Sequence, residues 1–550
     1  MQKKSTKPIT RCSRRWFALL LTGLMILALA GCGGKKEPSA MPSPSVTEQG
    51  APISGGSMTI VMPTNANLKP LEATQRELAD LYSLIYDSPL QYDSTLKPQP
   101  NVVERWTLAE DGLTWTFVLR KDVTYHNGQT VKAKDIVACI NELKNIAADE
   151  NRSSIYAVNM ELIASASATD DTTFTITATE KTNRVLAALL FPIIPDKTIG
   201  TSLPTGCGPY KVVSNESGKS LELAANDNWW KRTPYLSKIS VKGIQDSDTA
   251  LASMDVNLVD LVHTDSLTAS GYKQPGSRDV YEVMTQEYEC IIPNLMNAKM
   301  KDKEMLQAII AALDRKTIIT ETYLWHAVTV DAPVPPDVYY YDQTHQQHEY
   351  NPGKATSLLE GLGYQDKDGD GFLEKNGTKL SMKIIVNENT LSTARADAAK
   401  VAAQQLQKIG IDAQVTVMTW SDYQIALQNG NFDLAFAGFS IPKDGDLSFL
   451  VHSTRGKYNY GRYTSATMDG YLNELAAATT EEEMKTASSK VQHLWSEELP
   501  MISLYFRTNS VVCSAKIKGV PTMRDMDIFQ DIDQWYILRE GDEKKADAPE

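Results

Sequence analysis

Six cysteines and seven histidines are the first residues to consider in this 550-residue chain, because their types and spacing could do chemistry. No C-x-x-C pair occurs, so zinc ribbons and dithiol redox chemistry have no support. His345-Gln346-Gln347-His348 is the one histidine cluster, and its spacing could chelate a metal on a helix. Set among Tyr, Asp, Gln and Pro, it reads instead as a solvated loop. Asp366, Asp368 and Asp370, followed by Gly371, match positions 1, 3, 5 and 6 of a calcium loop. The twelfth position is Gly377 where a bidentate Glu belongs, so the stretch reads as a surface turn and not as a complete EF-hand. There is no phosphate-cradling G-x-x-x-x-G-K-[ST], no G-x-S-x-G elbow and no H-E-x-x-H. Carboxylates are abundant but no motif pairs them. Acid/base catalysis stays open on these residues alone, and no catalytic residue, resident metal or cofactor is singled out.

The one cysteine with a defined context is Cys32. Lys3, Lys4, Lys7, Arg11, Arg14 and Arg15 precede an apolar run over residues 16–30, interrupted only by Thr22 and Gly23. The run falls short of the roughly 18–20 residues a lasting membrane span needs, and reads as an export signal. It ends in Leu29-Ala30-Gly31-Cys32, which resembles a lipobox. Cys32 would then carry the lipid (diacylglycerol and palmitate-type chains), since two acyl chains anchor stably where one is marginal. Ser13-Arg14-Arg15-Trp16-Phe17 also fits a twin-arginine signal, although Arg14 and Arg15 read more simply as the charge of the leader. Residues 32–56 are rich in Gly, Pro and Ser and are expected to be a flexible tether. Cys139, Cys207, Cys290 and Cys513 remain in the exported body, where three disulfide pairings are open. Cys139 lies on a helical stripe with Ile136, Ile140 and Leu143, which favours a buried thiol.

The elements that must position a binding site are most readable over residues 380–439. Residues 380–386, 411–417 and 432–439 are apolar or alternating strands. Between the first two, Ala398, Val401, Ala402, Leu406 and Ile409 form one helix face ended by Gly410. Ser421 and Gln424 suggest a capping box for a second, short helix. This β-α-β-α-β order implies parallel strands and an α/β domain. Ligands in such sheets bind beyond the carboxyl ends of the strands. The rule selects Asn387 and Asn389, Trp420, and Phe439 and Ser440, and after the first strand (residues 57–61) Asn65 and Asn67. Elsewhere, residues 115–119 and 172–179 read as strands and 304–313 as an apolar helix. Asn351-Pro352 opens a further helix, with Ala355, Leu358, Leu359 and Leu362 apolar and Gly363 at its end.

Composition bounds the rest. At roughly 150 residues per domain the length suggests three to four domains. Apolar residues make up 42% and charged residues 22%, which is a globular profile. The net charge is -13, and the body is more acidic still because the leader holds six basic residues and no acidic one. Such a surface repels phosphate backbones, so no nucleic-acid partner is expected.

A series of short motifs resembles the extracellular solute-binding proteins of the dipeptide/oligopeptide/nickel class (family 5), the lipoprotein receptors of ABC transporters. In order, they are Gly55-Gly56-Ser57-Met58-Thr59-Ile60, Ile85-Tyr86-Asp87-Ser88-Pro89-Leu90, and the run from Glu110 to Arg120. Tyr125-His126-Asn127-Gly128, Lys134-Asp135-Ile136-Val137, Gly206-Cys207-Gly208-Pro209-Tyr210 and Asn228-Trp229-Trp230 follow. Ala312-Leu313-Asp314-Arg315 and Asn351-Pro352 complete the series. The resemblance implies a two-lobed periplasmic-binding-protein-like α/β fold (type II, large cluster) with the cleft between lobes. Lobe I would be discontinuous (residues 57–89, 189–289 and 499–536), with an inserted subdomain at 90–188. Lobe II would span 290–498, and 537–550 would be a charged tail. It also implies a hinge at Cys290, Ile291, Ile292, Met501, Ile502 and Ser503. The partners would be a peptide or small-molecule ligand and the permease subunits, with the chain monomeric and lipid-anchored on the outer side of the bacterial cytoplasmic membrane. A nickel or metal-chelate receptor of the same fold is the alternative, and an exported hydrolase a more distant one. Three positions depart from the peptide binders' pattern: Pro442 where they often carry the Asp that meets a ligand amine, Ala437 where they carry Trp, and Leu306 where they carry Arg. Asp444 and Asp446 stand close by as replacements for that Asp.

Overall fold

The structure, a computed structural model, describes residues 52–538 apart from 65–67, 391 and 526. The leader, Cys32, most of the tether, Asn65, Asn67 and most of the tail lie outside the described residues. Strand β1 (Ser57–Met62) buries Met58, Ile60 and Met62 on one face, the period of two its sequence carries. Helix α1 (Arg76–Ile85) follows and packs its apolar side on the same core. Gly206 and Gly208 pass against the end of α1 so closely that a Cβ on Gly206 would lie 2.0 Å from the Ile85 carbonyl oxygen. Only glycine fits there, which explains the Gly-Cys-Gly motif as scaffold. Asp87, just past α1, accepts the indole N–H groups of both Trp229 and Trp230 at 2.9 Å, tying two further motifs together.

Between these segments lies a four-stranded antiparallel sheet of β2 (Val103–Leu108), β3 (Thr114–Leu119), β4 (Ile163–Ala168) and β5 (Thr173–Ala178), in the order β2-β3-β5-β4. Helix α2 (Ala133–Ala148) covers it with the expected stripe of Ile136, Cys139, Ile140 and Leu143, all buried. Strands β6 (Tyr210–Glu216), β7 (Ser220–Ala225) and β8 (Lys238–Gly243) then complete a second sheet, β1-β8-β7-β6, in which β1 and β8 are parallel.

The largest sheet has seven strands. β9 (Leu261–Thr264) begins it, and β10 (Arg278–Pro293) runs through its middle. After helices α3 (Lys303–Ala312) and α4 (Arg315–Thr322) come the short β11 (Ala327–Thr329) and α5 (Pro352–Gly361). The segment read as β-α-β-α-β is β12 (Ser381–Asn387), α6 (Ala394–Gln407), β13 (Asp412–Met418), α7 (Trp420–Asn429) and β14 (Leu434–Ser440). Both pairings of β12, with β13 and with β14, are parallel. The strand order is β9-β15-β10-β14-β12-β13, where β15 is Ile502–Ser514 and β11 pairs with β15. β13 and β14 are therefore not neighbours, because β12 lies between them. β14 is central and buries Leu434, Ala435, Phe436 and Ala437 in succession, whereas β13 is the edge.

Local details depart from sequence expectation in instructive ways. The cap of α7 is Thr419, whose hydroxyl accepts from the Asp422 amide at 3.2 Å, and Ser421 lies inside the helix. His345 is buried rather than solvated, with Nδ1 on the Asp342 carbonyl, and His348 Nε2 bonds the Ser496 carbonyl at 2.7 Å. Cys139, Cys207, Cys290 and Cys513 are all buried free thiols. Asn351 caps α5 as expected, accepting from the Lys354 amide at 2.9 Å.

Candidate functional site

A cavity of about 480 Å³ opens where six distant stretches of chain meet. α1 turns Arg76, Ala79, Tyr82 and Ser83 toward it, at the three- and four-residue spacing that puts side chains on one helix face. Ile155, Tyr156, Val158, Ala187 and Leu190 supply an apolar wall. Gln286 and Glu287 project from β10, where the ladder to β15 loses register between Met284 and Tyr288. The chain leaving β14 contributes Ser440, Ile441, Pro442, Lys443 and Asp444. The C-terminal stretch adds Arg524, Asp525, Asp527 and Gln530.

Most of the charge around this space is already paired. Arg76 Nε meets Asp525 Oδ1 at 2.8 Å, and Arg524 pairs with Asp337. Arg184 holds Asp444 at 2.9 Å and Asp446 at 3.2 Å, while Asn159 Nδ2 donates to Asp444 at 2.7 Å. Behind the wall, His263 Nδ1 contacts Asp80 Oδ2 at 2.8 Å. Burial opposes the His263 charge, but Asp80 and Asp525 prevail and raise its pKa. Burial pushes the Asp525 carboxyl up against the pull of Arg76, and pushes Asp527 up to about 6 against the pull of Lys443. Burial lowers the Lys443 ammonium despite Asp525 and Asp527. The space is a partly open, largely apolar chamber with charged groups set into its lining, within the roughly 300–1,000 Å³ typical of small-ligand sites.

Residues 97–461 match the family model of bacterial extracellular solute-binding proteins, family 5 (middle region), which is more than half of the chain. The chain belongs to this family. The oligopeptide-binding protein AppA of Bacillus subtilis (strain 168) is 26% identical to this family 5 protein over 96% of this chain and 99% of its own. The nickel-binding periplasmic protein of Escherichia coli (strain K12) is 24% identical over 64% of this chain and 70% of its own. Among solved structures, HbpA2 from Haemophilus parasuis superposes with a TM-score of 0.75 at 19% identity, covering 88% of this chain and 100% of that one. The fold is thus the two-lobed α/β fold of these binding proteins.

In this family 5 protein, the residues selected by the strand-end rule do not all meet. Ser440 lines the cavity. Phe439 packs instead against Tyr458 and Phe449, at ring-centre distances of 5.5 and 6.5 Å. Asn387 is half-buried and accepts from Arg395 Nη1 at 3.3 Å, and Asn389 is exposed. Trp420 is 57% exposed at the start of α7, beyond the edge strand and away from the cavity lining. The proposed hinge residues lie where β10 and β15 end their pairing, just past a break in register between Glu289 and Cys290, with Cys290 opposite Ser503, Ile291 opposite Ile502, and Met501 immediately before β15. Cys290, Ile291, Ile292, Met501, Ile502 and Ser503 are all buried. The Asp366–Asp370 carboxylates converge within 4.8 Å on an exposed loop. Their oxygens accept from the Gly369, Gly371 and Phe372 amides, and Lys379 Nζ meets Asp370 at 2.6 Å. Sequence reasoning flagged Pro442 and Asp444, both of which line the cavity, but passed over Glu287, Lys443, Asp525 and Asp527. Lys443 carried a usable signal, since it follows a strand end that the topology rule had already selected.

Proposed function

We propose that this protein is the solute receptor of an ABC importer, enclosing a short peptide or peptide-like solute between its lobes and handing it to a membrane permease. The observation that carries this reading is the chamber of about 480 Å³, lined by both apolar and charged side chains from six separate stretches of chain. That volume suits a ligand of a few residues. Lobe I would comprise residues 57–89, 189–289 and 499–536, with 90–188 inserted, and lobe II residues 290–498. Residues 290–292 and 501–503 would carry the lobes' relative motion, and lipidated Cys32 would tether a monomeric receptor outside the membrane. A nickel chelate, the alternative, would have to bring its own metal ligands. Among the described residues the one group of three potential metal-binding side chains is in the exposed Asp366–Asp370 loop, not at the cavity.

The deciding experiment is mass spectrometry of the small molecule released when the purified protein is denatured. Adding the identified solute back at a hundredfold excess over its Kd should stabilise the fold by about 2.7 kcal/mol. Turnover of that solute, abolished by a single side-chain change, would overturn the receptor reading in favour of a hydrolase.

A further inference from the structure

Among the described residues, three charged groups lining the cavity have no charged partner. Arg76, Arg524, Asp444 and Asp525 are each held in an ion pair. Asp93, also at the cavity, accepts from Thr95, the Lys97 amide and Gln99. What remains is Lys443, Asp527 and Glu287, each half-buried on the cavity surface. Among the described residues neither carboxylate has a hydrogen-bond or ion-pair partner. Lys443 Nζ has a single long contact, 3.4 Å, to the main-chain oxygen of Asp525. Lys443 and Asp527 are near enough to influence each other's protonation, yet they form no ion pair.

Charges withdrawn from water and left unmatched are costly unless something completes them. A fold that pairs four neighbouring groups and leaves these three open toward one chamber holds them for an occupant. We propose that Asp527 anchors the ammonium group of the ligand and Lys443 its carboxylate, so that the chamber selects small zwitterions. Glu287, on β10 at the same chamber, accepts a further N–H or a second cation. This rests on the chamber being the ligand site. It adds which two side chains, one leaving β14 and one from the C-terminal stretch, read the two ends of the ligand's charge. Asp525 beside them belongs to Arg76 and is not free to do so.

The test uses the purified protein and an equimolar tripeptide library in three forms: unmodified, N-acetylated and C-amidated. Capture is read by native mass spectrometry. Wild-type protein should retain the unmodified library at least tenfold better than either blocked form. Asp527→Asn should lose that preference over the N-acetylated form, and Lys443→Met the preference over the C-amidated form, each keeping the other discrimination. Because the readout is a ratio between ligands, a general loss of folding would not mimic it, and each variant serves as the control for the other. Wild-type protein that captures tripeptides without regard to acetylation or amidation overturns the zwitterion assignment and leaves the receptor reading standing. So do variants that keep wild-type preferences. Capture of none of the three forms overturns both.

Discussion

At the scale of single residues, exposure and pairing decide what a side chain contributes. Trp420 follows a parallel strand and has the chemistry of a ligand platform, yet more than half of it faces solvent and its closest ring neighbour is Tyr423 at 5.9 Å. Trp420→Ala should therefore change stability by less than about 1 kcal/mol. Ligand affinity should be unchanged in calorimetric titration, and a tenfold loss would return Trp420 to the site. Asp527 behaves differently. Its folded pKa, about 6, lies above the ordinary carboxylate value, so the folded state binds the proton more tightly than the unfolded state. This group's contribution to stability therefore rises as pH falls from above 6 toward about 4. The charged groups facing it are Lys443 from the chain leaving β14, Lys231 from the loop after β7, Asp80 from α1 and Asp531 from its own segment. At pH 7.5 Asp527→Asn should stabilise the ligand-free protein by on the order of 1–2 kcal/mol, read as a higher Tm. Wild-type affinity for unmodified tripeptides should drop as pH falls through about 6, and a flat profile would count against Asp527 as the ammonium anchor.

At the scale of elements, one buried ion pair pins the centre of the large sheet to its covering helix. Arg395 on α6 reaches across β14 to Glu289 on β10, with contacts of 2.7 and 2.8 Å to its two carboxylate oxygens. The guanidinium passes over Gly438, where a Cβ would lie 2.0 Å from Arg395 Nη2. A side chain there must displace the arginine and strand Glu289, which is 2% exposed. Gly438→Ala should cost about 2–4 kcal/mol, combining overpacking with a buried carboxylate left unpaired. The measurement is the midpoint of urea unfolding at unchanged slope, and a shift under 0.5 kcal/mol (about a third of the ~1.4 kcal/mol that is tenfold in an equilibrium constant) would show that Arg395 relocates freely. The neighbouring break in register between Met284 and Tyr288 places Glu287 on the chamber wall, and a second break follows directly after Glu289, between it and Cys290.

At the scale of the whole molecule, the receptor reading requires both a chamber and a location. The location rests on Cys32, since Leu29-Ala30-Gly31-Cys32 resembles a lipobox. Cys32→Ala should leave the protein unlipidated, either released from cells or retained as precursor, in fractionation followed by mass measurement of the N-terminus. A fully processed form that still sediments with membranes would defeat the anchor. The folded body should be unaffected, because residues 52–538 contain every core element described.

The sequence by itself determined whatever depends on neighbours along the chain. The order β12-α6-β13-α7-β14, the buried stripe of α2 around Cys139, and the Asn351 cap follow from side-chain periods and backbone hydrogen bonds within a few turns. The motif series from Gly55 to Asn351-Pro352 carried the family as well. Only the tertiary structure decided that β12 separates β13 from β14, which moves Trp420 to an outer edge and leaves β14 beside β10. It alone decided which charges are spent. Asp444 and Asp446 stand in the right stretch of sequence for a ligand anchor, but Arg184, 260 residues before Asp444, reaches them first. Among the described residues Asp527 stays unpaired although its own segment offers Arg524, because Asp337 takes that guanidinium. Periodicity acts over neighbours and is written in the chain, whereas Coulomb pairing acts over ångströms in space and is written in the packing.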